Sequence, residues 1–164
     1  MSNTENVNVR TLAGLPASVQ TFLNGKDLLS KTQALRLTTV DADGWTKAAL
    51  ITPGDILALP DGRFRFAIPV NSDTAANLIR DNRFTFSMAI DGGMYSIRLR
   101  ARKCEQGTQE MPLAFFEAEV ERIRVHTTPS ADVVSGITFT LREWSAVAVI
   151  DRWQRQIAAL QAAS

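Results

Sequence analysis

The feature that most constrains this chain is an alternation of apolar and polar residues that begins at Ala34 and continues, interrupted by short turns, for most of its length. Leu35, Leu37 and Thr39 alternate with Arg36, Thr38 and Val40, and Phe64, Phe66 and Ile68 alternate with Arg63, Arg65 and Ala67. This is the period of a strand with one buried face. Asp41-Ala42-Asp43-Gly44, Pro60-Asp61-Gly62 and Asp91-Gly92-Gly93 supply turns with glycine where positive φ is wanted. The pattern predicts strands over Ala34 to Val40, Trp45 to about Thr52, Arg63 to Pro69, Arg83 to Ile90 and Met94 to about Glu105. Pro53-Gly54 interrupts pairing, and Ile56 to Leu59 is extended. One helix breaks the series, Asp73 to Asp81, with Ser72 at its N-cap. A helix start held against a sheet leaves N–H groups pointing outward, and such a group of donors is a ready anion site.

The segment from Leu113 to His126 fits two periods, because Leu113, Phe116, Val120 and Ile123 have helical spacing. Charge favours a sixth strand. If it returns from a loop near Gln109 against the strand carrying Ile97, Leu99 and Ala101, then Arg98 faces Glu121, Arg100 faces Glu119 and Arg102 faces Glu117. Each such pair is worth about 0.2–1 kcal/mol, and the ladder consumes the whole arginine row.

Outside the strands, Pro16, Val19, Phe22 and Leu23 predict a helix stopped by Asn24-Gly25, and a second helical piece is expected over Lys26 to Lys31. Residues 1–14 read as a mobile polar tail, with one domain from 15 to 164. Near the C-terminus, Thr140-Leu141-Arg142-Glu143 has the spacing of a capping box. A helix is expected from there, with Trp144, Val147, Ile150, Trp153, Ile157 and Leu160 on one apolar face for core packing or a dimer contact.

Length and composition narrow the function classes. A chain of 164 residues with 45% hydrophobic residues can bury one core. A net charge of +1 argues against a dedicated nucleic-acid binder. Cys104 and His126, one of each, make neither an internal disulfide nor a usual zinc site, so no metal is expected. Cys104 reads as a small half-buried residue and His126 as a surface or interface residue. Asp41 and Asp43 are explained by turn chemistry rather than by acid–base work. Met1 to Val9 lacks the pattern of a secretory leader, and no apolar run approaches the roughly 20 residues that span a bilayer. The expectation is a cytoplasmic protein without a membrane partner.

Together, the hairpin Leu35 to Gly44, the strand Phe64-Arg-Phe-Ala-Ile-Pro69, the run Ser72-x-Thr-x-x-Asn-Leu78 with Asp81-Asn-Arg83, and the two strands around Asp91-Gly-Gly93 resemble the pyridoxamine 5′-phosphate oxidase-like family. These are the FMN-binding split barrels, and the likeness spans about Leu15 to Trp153. The resemblance implies a mainly β fold: a six-stranded antiparallel split β-barrel with an N-terminal helix, a helix between its third and fourth strands, and a C-terminal helix. It further implies a homodimer with a small-molecule groove at the subunit interface and FMN as cofactor, with F420, haem or no cofactor in other members. The activity implied is that of an oxidoreductase of unspecified substrate. The alternative is a ligand-binding or stress-associated module without flavin chemistry. Carried over position by position, the phosphate would lie at Ser72, Thr74 and Asn77 with Lys47 supplying charge, and the ring against Leu50, Ile51, Thr52, Ala67, Ile68 and Pro69. Where flavin-binding members place basic residues, this chain has Asp73, Thr74 and Ala76. No catalytic residue follows from the likeness.

Overall fold

The alternating runs form one antiparallel sheet that curls into a half-barrel. The structure, a computed structural model, describes residues 8–105 and 112–164. Its nine strands are β1 (Asn8–Leu12), β2 (Gln33–Val40), β3 (Thr46–Ile51), β4 (Ile56–Ala58), β5 (Phe64–Pro69), β6 (Arg83–Ile90), β7 (Gly93–Lys103), β8 (Leu113–Thr127) and β9 (Ile137–Thr138). The helices are α1 (Ala17–Phe22), α2 (Asp73–Arg80) and α3 (Ala146–Ala162), with a 3-10 turn at Leu28–Ser30 where a second helical piece was expected. Strand order is β3-β2-β6-β7-β8-β5-β4, with β1 added on β8 and β9 on β2. The six strands expected from the resemblance are β2, β3 and β5 to β8, so β1, β4 and β9 are additions to that count.

β1 corrects the expected tail. Asn8–Leu12 pairs with Ile123–Thr127 of β8, so order begins before Leu15, while residues 1–7 and the loop expected near Gln109 lie outside the described residues. The polar side chains of that stretch hid a strand whose partner is the far half of β8. At 15 residues, β8 pairs with β5 through Ala118 and with β1 from Ile123.

Between those two partners β8 carries a bulge. Leu99 lies opposite Val120, whereas Arg98 lies opposite Arg122, so Glu121 is an extra residue with no cross-strand partner of its own. A bulge of this kind bends its strand and re-aims side chains. It corrects the expected ladder: Arg100 and Arg102 do lie opposite Glu119 and Glu117, but Arg98 does not face Glu121.

The concave side of the sheet holds the main core. Phe64, Phe66, Phe86 and Phe116 are almost fully buried there, with Phe64 edge-on to Phe86 at 5.1 Å and Phe66 stacked on Phe116 at 5.4 Å. α2 covers one end, contributing Ala75 and Leu78. A second cluster lies on the convex side, where Trp153, Ile157 and Leu160 of α3 pack on Leu57, Ala67, Cys104 and Phe115. Trp153 lies so close to Gly54 that a side chain at position 54 would overlap its indole ring. Gln156, buried, donates to the Gly54 carbonyl at 3.1 Å and to Asp55 Oδ1 at 2.9 Å, which anchors α3 to the turn between β3 and β4.

Two expectations about α3 are corrected. Thr140 does not cap it: the chain makes a turn from Arg142 to Ser145, and the helix begins at Ala146 after Ser145. The anticipated stripe also divides, since Trp153, Ile157 and Leu160 are buried while Trp144 and Val147 are 82% and 85% exposed. No helix among the described residues is long and apolar enough to cross a membrane.

Candidate functional site

The start of α2 is shaped by Ser72. Its Oγ accepts from the Ala75 N–H at 3.1 Å and donates to the Pro69 carbonyl at 2.7 Å, so the predicted N-cap is present and its hydroxyl is already engaged twice. The N–H groups of Asp73 and Thr74, which have no intrahelical partner by the geometry of a first turn, make no hydrogen bond among the described residues. The Asp73 side chain is exposed, and Thr74 is buried at 3% exposure.

Lys47 arrives from β3. It lies opposite Thr39 of β2, on the concave side, and its Nζ donates to Thr74 Oγ1 at 3.2 Å. Thr39 Oγ1 accepts from Asn77 Nδ2 at 2.9 Å, and Asp41 Oδ1 accepts from the same nitrogen at 2.8 Å. Arg80 Nη1 donates to Asn77 Oδ1 at 3.2 Å, and its Nη2 donates to the Val40 carbonyl. Asn77 thus has both ends of its amide occupied and fixes α2 to the β2 hairpin. Thr39, Asp41 and Arg80 support this seam and were not anticipated as a group. The alternation of β2 placed Thr39 inward, but only the docking of α2 shows what it meets.

The ten residues carried over from the resemblance separate into four sets. Lys47, Ser72, Thr74 and Asn77 come together at α2, although Asn77 serves as a structural tie. Leu50 at 60% exposure and Pro69 lie at the surface. Ile51 and Ile68 are buried in the concave core, and Ala67 is buried on the convex side beneath α3. Thr52 is tied to Asp55, donating from N and Oγ1 to Oδ2 at 2.9 and 2.7 Å. Side chains of Ile51, Ala67 and Ile68 are therefore packing groups, and alternation on β5 puts Ala67 and Ile68 on opposite faces. A ring placed here meets strand backbone and the exposed residues.

The fit to a phosphate can be judged on these atoms. Two free backbone N–H groups, the Thr74 hydroxyl and an adjacent ammonium suit an oxyanion. The other side of α2 does not. There a depression of about 440 Å³ is lined by Asp41, Asp43 and Asp73 as well as Asn77 and Arg80. An anion therefore fits the Lys47 side of α2 alone. Among the described residues no group of three His, Cys, Asp or Glu side chains converges as a metal site.

A second charged centre lies on the convex side of β5, β7 and β8. Glu117, 4% exposed, accepts from Arg63 Nη1 at 2.5 Å, Arg65 Nε at 2.8 Å and Arg102 Nη2 at 2.8 Å. Burial alone would raise its pKa, but the hydrogen bonds from Arg65 and Arg102 outweigh this and hold it below the usual carboxylate range. Arg65 also donates to the Leu160 and Gln161 carbonyls at 3.0 and 3.1 Å, capping the end of α3. Only Arg102 was anticipated at Glu117. Arg63 and Arg65 face outward by the alternation of β5, so the signal was present, but the β5–β8 pairing was not. Cys104, buried beside this centre, has its thiol pushed up by burial.

No family model matches the chain. The uncharacterized protein YclD of Bacillus subtilis (strain 168) is 29% identical over 138 residues, covering 83% of this chain and 88% of YclD. Among solved structures, HupZ of Group A Streptococcus superposes with a TM-score of 0.54 at 16% identity, covering 73% of this chain and 98% of HupZ. A Lactobacillus delbrueckii protein, named as a candidate pyridoxamine 5′-phosphate oxidase, gives 0.54 at 16% identity over 70% of this chain and 98% of its own. The fold is that of the pyridoxamine 5′-phosphate oxidase-like split barrels. At these identities the likeness concerns architecture, and chemistry has to be argued from the side chains.

Proposed function

We propose that this protein is a homodimeric split barrel that binds a flavin phosphate, FMN, on the Lys47 side of α2 and serves as an oxidoreductase for a small molecule. The observation that carries the reading is the contact of Lys47 Nζ with Thr74 Oγ1 at 3.2 Å. It brings a cation to a helix start whose own sequence supplies only Asp73, Thr74 and Ala76 at the positions where basic residues were expected. In this reading the N–H groups of Asp73 and Thr74 donate to the phosphate, Lys47 balances its charge, and Ser72 holds the turn. Leu50 and Pro69 are exposed where the ring would lie, and a second copy of the chain completes the groove. Bound flavin would supply the electron transfer, while the chain binds and orients it.

A specific observation supports the second reading, a ligand-binding module without flavin redox chemistry. Asp73 sits in the first turn, and the Ser72 hydroxyl is committed to Pro69 and Ala75. A single experiment separates the two. The absorption spectrum of purified protein, before and after incubation with FMN, is expected to show bound flavin, and Lys47→Ala is expected to weaken binding about tenfold or more by removing a charge-assisted contact. A colourless protein that takes up no FMN leaves the second reading.

A further inference from the structure

The bulge at Glu121 gives one face of the sheet a property that the flavin reading does not use. On the convex side, Arg98 of β7 lies opposite Arg122 of β8, with Thr85 of β6 on the other flank of Arg98. Arg124 follows two residues along β8, opposite Ser96, and Arg36 of β2 lies opposite Ser87. Among the described residues none of Arg36, Arg98, Arg122 and Arg124 makes an ion pair or a side-chain hydrogen bond. The neighbouring carboxylates are engaged elsewhere: Glu121 accepts from Arg100 and Asp81 from Arg83, each at 2.8 Å. In a chain whose net charge is +1, this is a local concentration of positive charge.

Like charges directly opposite one another destabilise a ladder. Without the extra residue, Arg98 would face Glu121. The bulge removes that partner and supplies a second guanidinium instead, so the strand pair keeps a repulsion that a bound anion would relieve. Guanidinium forks match phosphate oxygens in geometry as well as charge. The cross-strand neighbours of these arginines are hydroxyls, Thr38, Thr85, Ser87 and Ser96, and a depression of about 450 Å³ beside Arg98 is lined by Thr38 and Thr85 together with Val40, Leu99 and the arginine-paired carboxylates of Asp81 and Glu121. We infer that the Arg98–Arg122 pair is the centre of a binding site for a small soluble compound carrying a diphosphate group, with Arg124 and Ser96 placed for the second phosphoryl. The site lies across the sheet from Lys47 and α2, which are on the concave side, and on the face that also carries Leu50, opposite Arg36.

The test is thermal unfolding of the full chain titrated with inorganic pyrophosphate, against sodium chloride of equal ionic strength. Saturable stabilisation by pyrophosphate beyond that of chloride is expected, with binding about tenfold or more weaker in Arg98→Ala and Arg122→Ala. Arg152→Ala, on α3, should bind as the unchanged protein does. The two arginine variants should also unfold at the same or a slightly higher temperature without pyrophosphate, because each removes a repulsion, and this separates lost binding from lost folding. Arg98→Lys, which keeps the charge and loses the fork, should bind with intermediate strength. No shift beyond chloride, or an equal shift in Arg98→Ala and Arg122→Ala, would overturn the assignment. So would a shift lost in Lys47→Ala and kept in those two, because the anion would then sit at α2.

Discussion

The same two strands, β7 and β8, carry two opposite arrangements of charge, and the bulge at Glu121 is the boundary between them. On one side, Arg102 joins Arg63 and Arg65 on the buried carboxylate of Glu117. On the other, Arg98 and Arg122 face each other with no carboxylate between them. In the first region one anion organises three cations and ties β5, β7, β8 and the end of α3 together. In the second, Arg98 and Arg122 make no ion pair among the described residues, although Glu121, paired with Arg100, lies close enough to feel the charge of Arg122. The sequence composition of the two regions is similar, and one inserted residue decides which arrangement results.

The largest effect should come from the occupied side. Glu117→Ala leaves three guanidiniums without their shared partner, and breaking a buried ion pair typically costs about 3–5 kcal/mol. The lower end applies here, about 3 kcal/mol, because Arg63 and Arg102 are 38% and 59% exposed and can turn to water, whereas Arg65 at 14% cannot do so as readily. Urea unfolding measures this, and a loss below about 1 kcal/mol would mean that the cluster is as dispensable as a surface pair.

Acid should weaken the two sides differently. The Glu117 pKa is lowered in the folded state, so its contribution to stability is fully present above the unfolded carboxylate value, about 4.3, and is lost as pH falls through the folded value. Asp61, Asp81 and Glu121 are shifted the same way, chiefly by hydrogen bonds from Arg63, Arg83 and Arg100, and Asp81 reaches about 2. Those groups are more exposed and screened by solvent, so the difference between the unchanged protein and Glu117→Gln isolates the buried one. The difference in unfolding free energy should be constant from pH 7 to about 5 and shrink below about 4.3. A difference that stays level down to pH 2 would assign the stabilisation to packing rather than charge.

How much of this was legible in the sequence follows from the range of each interaction. Period-two alternation located five of the six long strands, because each strand's buried face is written in its own residues, and the sixth, β8, was decided by the charges facing the arginine row. The same local reading found the Ser72 cap and α2. It failed where the partner is remote. β1 has a polar sequence and becomes a strand only because β8 offers it an edge, and Trp144 shares a helical spacing with Trp153 but lies outside α3, beyond the surface that α3 covers. The capping pattern at Thr140 is a local signal overridden by the turn at Ser145. At the candidate site, Lys47 and Thr74 were named from the resemblance and are brought together, whereas Ile51, Ala67 and Ile68 are core residues that alternation alone would have assigned to packing. The bulge left no trace in the pattern of charges: Arg98, Arg100 and Arg102 run evenly against Glu117, Glu119 and Glu121, and only the observed register shows where that regularity breaks.

The smallest effect, and the sharpest test of the boundary, is Arg122→Glu. It places a carboxylate opposite Arg98, as in the arrangement that an unbulged ladder would have had with Glu121. The new pair is exposed, so it should contribute only about 0.2–1 kcal/mol, part of which is relief of the present repulsion. The gain should fade as salt is raised, since exposed charges are screened over a Debye length of about 10 Å at 0.1 M. Pyrophosphate should no longer stabilise this variant, because the introduced carboxylate occupies Arg98 and repels the anion. The protein would then have the same charge logic on both sides of the bulge, slightly more stable and without an anion site. If Arg122→Glu instead lowers stability at low salt, the two guanidiniums are not close enough to repel, and the contrast between the two regions is one of sequence position and not of energy.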